Sequence, residues 1–283
     1  MSVLRRLARR KMSVFGFFFL ACVVVVALLA PVIAPGNRDD QNLMQRLKPP
    51  GWKDDAGHVF ILGTDQLGRD VLPRLIYGSR VSLMVGGAAV VAGGGIGLLA
   101  GLVSGYFGGK LDAVIMRIAD IQLAFPFLLL AMAMVSILGP GLLNVIIVLA
   151  LTSWISYAKV VRATTLGVRS RDFVQAGRAL GATDLRIIFK HVLPNVFSSF
   201  LVIASFEAAS MIIAESALSY LGLGVSTGIP TWGGMLADGR EYITDAWWIC
   251  LIPGVALMLT ALSLNLLGDG LRDALDPTQR NVS

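Results

Sequence analysis

Four ionisable residues stand within otherwise apolar stretches of the chain: Arg117 and Asp120 at i and i+3, and Glu207 and Glu215 two helical turns apart. A charge in such surroundings costs roughly 2.5 to 3.5 kcal/mol on membrane-insertion scales, so it faces protein or water. The Arg117 and Asp120 spacing permits a local ion pair, and the Glu207 and Glu215 spacing puts both carboxylates on similar faces. These residues read either as structural pairs at helix contacts or as the lining of a translocation pathway. Other chemistries find no support. Cys22 and Cys250 fall in apolar runs and His58 and His191 are unclustered, so there is neither a disulfide framework nor a zinc motif. The nearest approach to a phosphate-cradling loop is SGYFGGKL, in which Ser104 replaces the first glycine and Leu111 stands where a hydroxyl should hold magnesium. With no Ser/His/Asp arrangement either, no catalytic residue and no metal site is assigned.

The elements that position these residues are membrane spans. Hydrophobic residues make up 55% of the 283 positions and charged residues 15%, more apolar surface than one soluble core can bury, which implies lipid as the solvent. A hydrocarbon core takes about 20 apolar residues per helical crossing. About six such runs are present: Ser13 to Ala34, Val81 to Phe107, Asp112 to Leu138, Leu142 to Ala158, Leu193 to Leu221 and Ala246 to Gly268. The expectation is an all-α integral membrane protein. GPG at Gly139 to Gly141 makes a turn, whereas Pro126 and Pro253 read as kinks within spans. The basic front of the first run resembles a cleaved signal, yet the apolar run from Val14 to Ala30 exceeds a signal core and Pro35 follows Ala34; a retained helix is expected.

Orientation follows from the basic residues, because positive connections stay on the cytoplasmic side. One set of connections holds Arg5, Arg6, Arg9, Arg10, Lys110, Lys159, Arg162, Arg169, Arg171, Arg178, Arg186, Lys190, Arg272 and Arg280. The other set mixes Arg38, Arg46, Lys48, Arg69, Arg74 and Arg240 with Asp39, Asp40, Asp54, Asp65, Asp70, Asp238 and Glu241. Both termini are therefore expected in the cytoplasm, and the net charge of +6 calls for no nucleic acid partner. Ala89, Gly93, Gly97, Gly101 and Gly105 recur every four residues along one stripe, which suits close helix contact, either within this subunit or with another.

FVQAGRALGATDLRIIFKHVLP, Phe173 to Pro194, lies between the fourth and fifth spans on the basic side. Asp172 suits the cap of a short helix with Phe173, Gly177 and Leu180 on one face, and Gly181 suits the position past its end. Thr183 or Asp184 starts a second short helix with Leu185, Ile188 and Val192 along one side, and Pro194 fits the first turn of the fifth span. Two short helices around a glycine form a knob whose small residues suit a groove on another protein; the alternative is an amphipathic loop lying on lipid headgroups.

This segment resembles the cytoplasmic coupling motif of binding-protein-dependent ATP-binding-cassette importers, Glu-Ala-Ala, three residues, then Gly. The matching positions are Gln175, Ala176, Gly177 and Gly181, followed by HVLPN from His191. LGTDQLGRDVLPRLIYGSRVSL from Leu62, RIADIQLAFPFLLL from Arg117, ESALSYLGLG from Glu215, WGGML from Trp232 and NLLGDGLRDALDP from Asn265 resemble the dipeptide, oligopeptide and nickel permeases of that family. Two positions depart from the motif. Gln175 stands in place of its acid, and Gly177 in place of its second alanine, costing roughly 0.5 to 1 kcal/mol of helix stability.

The resemblance implies one N-terminal helix ahead of a five-helix permease core, in the bacterial cytoplasmic membrane. On that reading residues 1–78 hold the tail, first helix and extracytoplasmic loop, and residues 79–283 the core with its coupling segment at 159–192. It implies a second homologous permease, two cytoplasmic nucleotide-binding subunits or domains that bind ATP and Mg, and an extracytoplasmic substrate-binding protein. This chain itself then binds no cofactor. The ATPase-coupling residues are Asp172, Gln175, Ala176, Gly177, Arg178, Ala179, Leu180 and Gly181. Arg117, Asp120, Glu207 and Glu215 are the pathway candidates, and Trp232 the candidate binding-protein contact, unless the outer loops merely cap the bundle. Dipeptides or short oligopeptides lead as cargo, with nickel chelates and other small solutes as alternatives. An ion-coupled secondary transporter or a proton-conducting subunit would use the same intramembrane carboxylates without a docking knob.

Overall fold

The computed structural model describes residues 11–34, 40–225 and 228–275. Arg5, Arg6, Arg9, Arg10, Pro35, Arg38, Asp39 and Arg280, used above for retention and orientation, lie outside them. The described chain is helical except for a two-stranded antiparallel hairpin, β1 (Trp52–Lys53) with β2 (Val59–Phe60). Five helices are long and apolar enough to cross a membrane, and a sixth crossing exists if one sharply bent pair counts as a span.

The first is α1 (Lys11–Leu28), followed after Leu29 by the single turn α2 (Ala30–Ile33), where Pro31 withholds a backbone N–H. It lies along the last helix, α11 (Trp248–Leu275), closely enough that Ser13 Oγ donates to Leu266 O at 3.2 Å. The second, α3 (Val71–Phe107), begins well before the expected Val81 because Asp70 accepts a hydrogen bond from Leu72 N at 3.0 Å and caps it. The third expected span is corrected. Instead of one kinked helix, α4 (Gly109–Leu123) and α5 (Phe127–Leu138) meet at 91°, with Pro126 extended at the corner.

The fourth, α6 (Leu142–Arg169), also runs past its expected end at Ala158. Lys159 and Arg162, read from sequence as loop charges, lie on this helix. Their cations are matched: Arg162 Nε and Nη2 donate to the two oxygens of Asp112 at 2.5 and 2.6 Å, and Lys159 Nζ pairs with Asp120 at 3.2 Å. After α7 (Asp172–Ala179), a turn α8 (Asp184–Ile187) passes through a π-type turn at Ile188–Val192 into α9 (Leu193–Tyr220). The expected separate second knob helix is thus the first turn of a continuous 37-residue helical path. The short α10 (Trp232–Gly239) then leads to α11, which continues as one helix through Pro253.

The glycine stripe settles its alternatives in favour of internal packing. Gly93, Gly97, Gly101 and Gly105 of α3 face α6 so closely that a Cβ on Gly97 would meet Trp154 O and sit 2.5 Å from Tyr157 Cβ, and one on Gly101 would sit 2.7 Å from Ala158 O. Around this seam, Val85, Ala89, Val145, Leu149, Met211 and Leu218 form the main buried cluster between α3, α6 and α9.

Gly97→Ala is therefore expected to destabilise the folded chain by about 1 to 3 kcal/mol through overpacking. Gly95→Ala, whose Cβ meets nothing within 4 Å, is expected to be neutral or stabilising by up to about 1 kcal/mol. Thermal unfolding of both variants in detergent checks the contrast.

Candidate coupling segment and membrane cavity

The candidate coupling helix is exposed and held from beneath. α6 ends at Arg169, Arg171 is extended, and α7 starts at Asp172. Asp172 is thus the first helical residue and not the cap expected from sequence; its carboxylate still sits at the positive end of the helix. Gly181, at φ +80°, closes the helix: its N–H donates to Arg178 O at 2.9 Å while Ala182 N–H donates to Gly177 O at 3.1 Å, the paired bonds of a Schellman ending.

Val174 is the buried anchor of α7, packed with Leu102, Val168, Ile187, Val192 and Val196. The face that carries Phe173 and Leu180 is uncovered, Leu180 at 87% exposure. Leu185 and Phe189 are exposed nearby, whereas Ile187 and Ile188 are buried. One residue that carries no selecting signal in the sequence ties this assembly together. Tyr106, 1% exposed near the end of α3, lies under the Arg178 guanidinium at 5.0 Å and donates its hydroxyl to Asp184 Oδ1 at 2.6 Å. Arg178, expected to serve the docking surface, thus contacts its own chain. Gln175 does the same: its Nε2 donates to Arg169 O at 3.2 Å, a bond that an ionised glutamate at this position has no hydrogen to make.

The intramembrane ionisable residues are not one constellation. Asp120 is exposed and paired with Lys159, in place of the expected local pair with Arg117. Glu215 is fully buried, accepting from Ser82 Oγ at 3.0 Å and Ser219 Oγ at 2.7 Å, so it locks α9 to α3. Glu207 differs from both. With Ser156 it lines a cavity of about 740 Å³ at the α4–α5 corner, bounded by Gln122, Phe125, Pro126, Thr152 and Ser210. The Tyr157 hydroxyl, buried without a hydrogen-bond partner, lies within its electrostatic reach. These three environments form no common carboxylate relay.

At the opposite end from α7, a buried charge network holds the loop before α3. Arg69 Nε donates to Asp65 Oδ2 at 2.6 Å and Arg69 Nη2 to Asp238 Oδ2 at 3.1 Å, while Arg74 reaches the same two oxygens at 3.5 and 3.6 Å. Asp65 Oδ1 also accepts from Leu67 N and Arg69 N. Trp232 is corrected here. It is 2% exposed and donates Nε1–H to Leu75 O at 3.1 Å, so it pins α10 to α3 beneath the surface and offers no contact to another protein. Trp248 does the same for Thr64 O at 3.1 Å. Beside the network, burial pushes the Asp70 carboxyl above the ordinary carboxylate range, against the Leu72 N–H and His58, whose Nε2 stands 3.7 Å away.

Residues 97–281 match the family described as binding-protein-dependent transport system inner membrane component, and residues 2–50 match the N-terminal transmembrane domain of oligopeptide transport permease C. The chain is 44% identical over 276 residues, covering 98% of it and 91% of the relative, to the di/tripeptide transport system permease protein DppC of Pseudomonas aeruginosa. It is 42% identical over 269 residues to the dipeptide transport system permease protein DppC of Escherichia coli, covering 95% and 90% of the two chains. Among solved structures, the inward-facing MetNI methionine ABC transporter superposes with a TM-score of 0.61 at 22% identity, over 72% of this chain and 98% of that one. That likeness is one of fold.

The charge network yields a stability prediction. Arg69→Met leaves Asp65, whose side chain is 4% exposed, without its closest cation, and is expected to cost about 3 to 5 kcal/mol. Asp120→Asn removes a pair whose side chains are 61% and 45% exposed and is expected to cost under about 1 kcal/mol. Denaturation midpoints of the two variants measure the difference.

Proposed function

The chain belongs to the inner membrane components of binding-protein-dependent transport systems, and on that footing we propose that it passes di- or short oligopeptides inward, driven by ATP hydrolysed in partner subunits. As a multi-pass permease of an ATP-binding-cassette importer it works with ATPase and binding-protein partners. The finer assignment is a second homologous permease beside it, two nucleotide-binding subunits under it, and both termini in the cytoplasm. The likeness to a di/tripeptide permease along nearly the whole chain supports peptides as cargo.

The observation that carries the mechanism is the uncovered face of α7 between two membrane helices. Phe173 and Leu180 offer an apolar surface for a cleft in an ATPase, and Val174, Tyr106 and Arg178 fix the helix to the bundle beneath. A displacement of α7 therefore reaches α6 through the tight turn at Ser170 and Arg171, and α9 through the π turn. Closure of the nucleotide-binding subunits tilts these helices and alternates access to the membrane cavity.

Leu180→Asp adds a charge to an exposed position and is expected to leave folding within about 0.5 kcal/mol of the parent. It is expected to abolish peptide uptake and to release the ATPase subunits on purification. A bulky residue at Gly181 meets nothing within 4 Å at its Cβ but forces a side chain into φ +80°, costing about 1 to 2 kcal/mol while also blocking the docking face. Membrane insertion is expected to persist and uptake to stop. Normal uptake by both variants would sink the docking role.

A further inference from the structure

We propose that Glu207 is the counter-charge for the α-ammonium group of the peptide as it crosses the membrane cavity. The inference rests on the peptide reading above and adds to it a residue and a charge preference.

Among the described residues lining the cavity, Glu207 is the single ionisable side chain, with no Lys or Arg beside it. The hydroxyls of Thr152, Ser153 and Ser210 have committed their hydrogens to backbone carbonyls of their own helices. Thr152 Oγ1 donates to Val148 O at 2.8 Å and Ser210 Oγ to Phe206 O at 3.3 Å, which leaves the hydroxyl lone pairs available. Gln122, the remaining polar residue at the α4–α5 corner, spends its amide within the protein: Nε2 donates to Leu151 O at 2.9 Å and Oε1 accepts from Trp154 Nε1 at 3.0 Å. The wall thus presents a carboxylate and hydroxyl acceptors among apolar side chains such as Phe125, Phe127 and Met211. A group with three N–H donors and a positive charge matches that surface, and a carboxylate does not. Every peptide with a free N-terminus carries one such group whatever its side chains, so a single fixed carboxylate suits a passage that tolerates many sequences. The volume of about 740 Å³ falls within the roughly 300 to 1,000 Å³ common for small-molecule sites.

The experiment uses the full transporter with its binding protein in proteoliposomes, with dialanine as the probe, measuring uptake per ATP hydrolysed. Glu207→Gln keeps the size of the side chain and removes its charge, and is expected to lower that ratio at least tenfold with ATP hydrolysis retained. Glu207→Asp is expected to stay within threefold of the parent. Ser210→Lys, which places a cation one turn from Glu207 at an exposed lining position, is expected to match the Gln variant, whereas Ser210→Met, of similar length and no charge, keeps uptake. Should Glu207→Gln fail to assemble, the Ser210 pair decides alone. Equal uptake by Glu207→Gln and parent, equal loss in the Asp and Gln variants, or equal behaviour of Ser210→Lys and Ser210→Met would overturn the assignment. A parent transporter that moves no dialanine would overturn the peptide reading itself, and this inference with it.

Discussion

The backbone contact between α3 and α6 is the constraint on which the rest of the molecule depends. In lipid the apolar surface of a helix gains little by leaving its solvent, so two long helices associate through dispersion at short range. Gly93, Gly97, Gly101 and Gly105 permit that range by leaving the α6 backbone and the bases of Tyr157, Val161 and Thr165 nothing to displace. The glycine contacts run along α6 from Gly93 to Gly105 of α3. α7 follows the end of α6, Tyr106 stands near the end of α3, and Ser156 lines the cavity from α6.

Polar contacts then fix what packing alone leaves free to slide. At one end Ser104 on α3, Asp112 on α4 and Arg162 on α6 form a bidentate ion pair with a bridging hydroxyl. At the other, Asp65, Arg69, Arg74 and Asp238 join the entry loop to α10. Buried charges of this kind are weak sources of net stability, because desolvation offsets much of their attraction. Their geometry is nonetheless directional, so they set the register of elements that glycine contacts would let rotate. Glu215 plays the same part near the C-terminal end of α9, with hydroxyls of Ser82 and Ser219 in place of a cation.

The span count and the short helix α7 were legible in the sequence because each rests on a local signal. Apolar run length marks the spans, and Gly181 marks the helix end through its left-handed backbone. The miscalled features depend on partners distant in sequence. Lys159 and Arg162 look like loop charges until Asp120 and Asp112 of another helix neutralise them. Trp232 looks like a surface aromatic until Leu75 O takes its indole N–H. Pro126 announces a break, but a missing N–H says nothing of its size, which is 91°. Tyr106 carried no signal at all, since a tyrosine at a helix end is unremarkable without Arg178 and Asp184 around it.

The continuity of α8 with α9 bears on how force travels. A separate second knob helix would decouple α7 from α9 by a flexible joint, whereas a helical path from Asp184 to Tyr220 carries displacement along its whole length. The π turn at Ile188–Val192 and Pro194 directly after it supply the one stretch where that path deviates from regular α-helix, next to the buried anchors Ile187, Ile188 and Val192. Glu207 lies further along the same helix, and Glu215 anchors its far end to α3. On the proposed docking at α7, a lever pinned at Glu215 and driven at the α7 end would move most near the drive and least near the pin. Glu207 lies between the two on α9, so the same tilt would alter the cavity wall there.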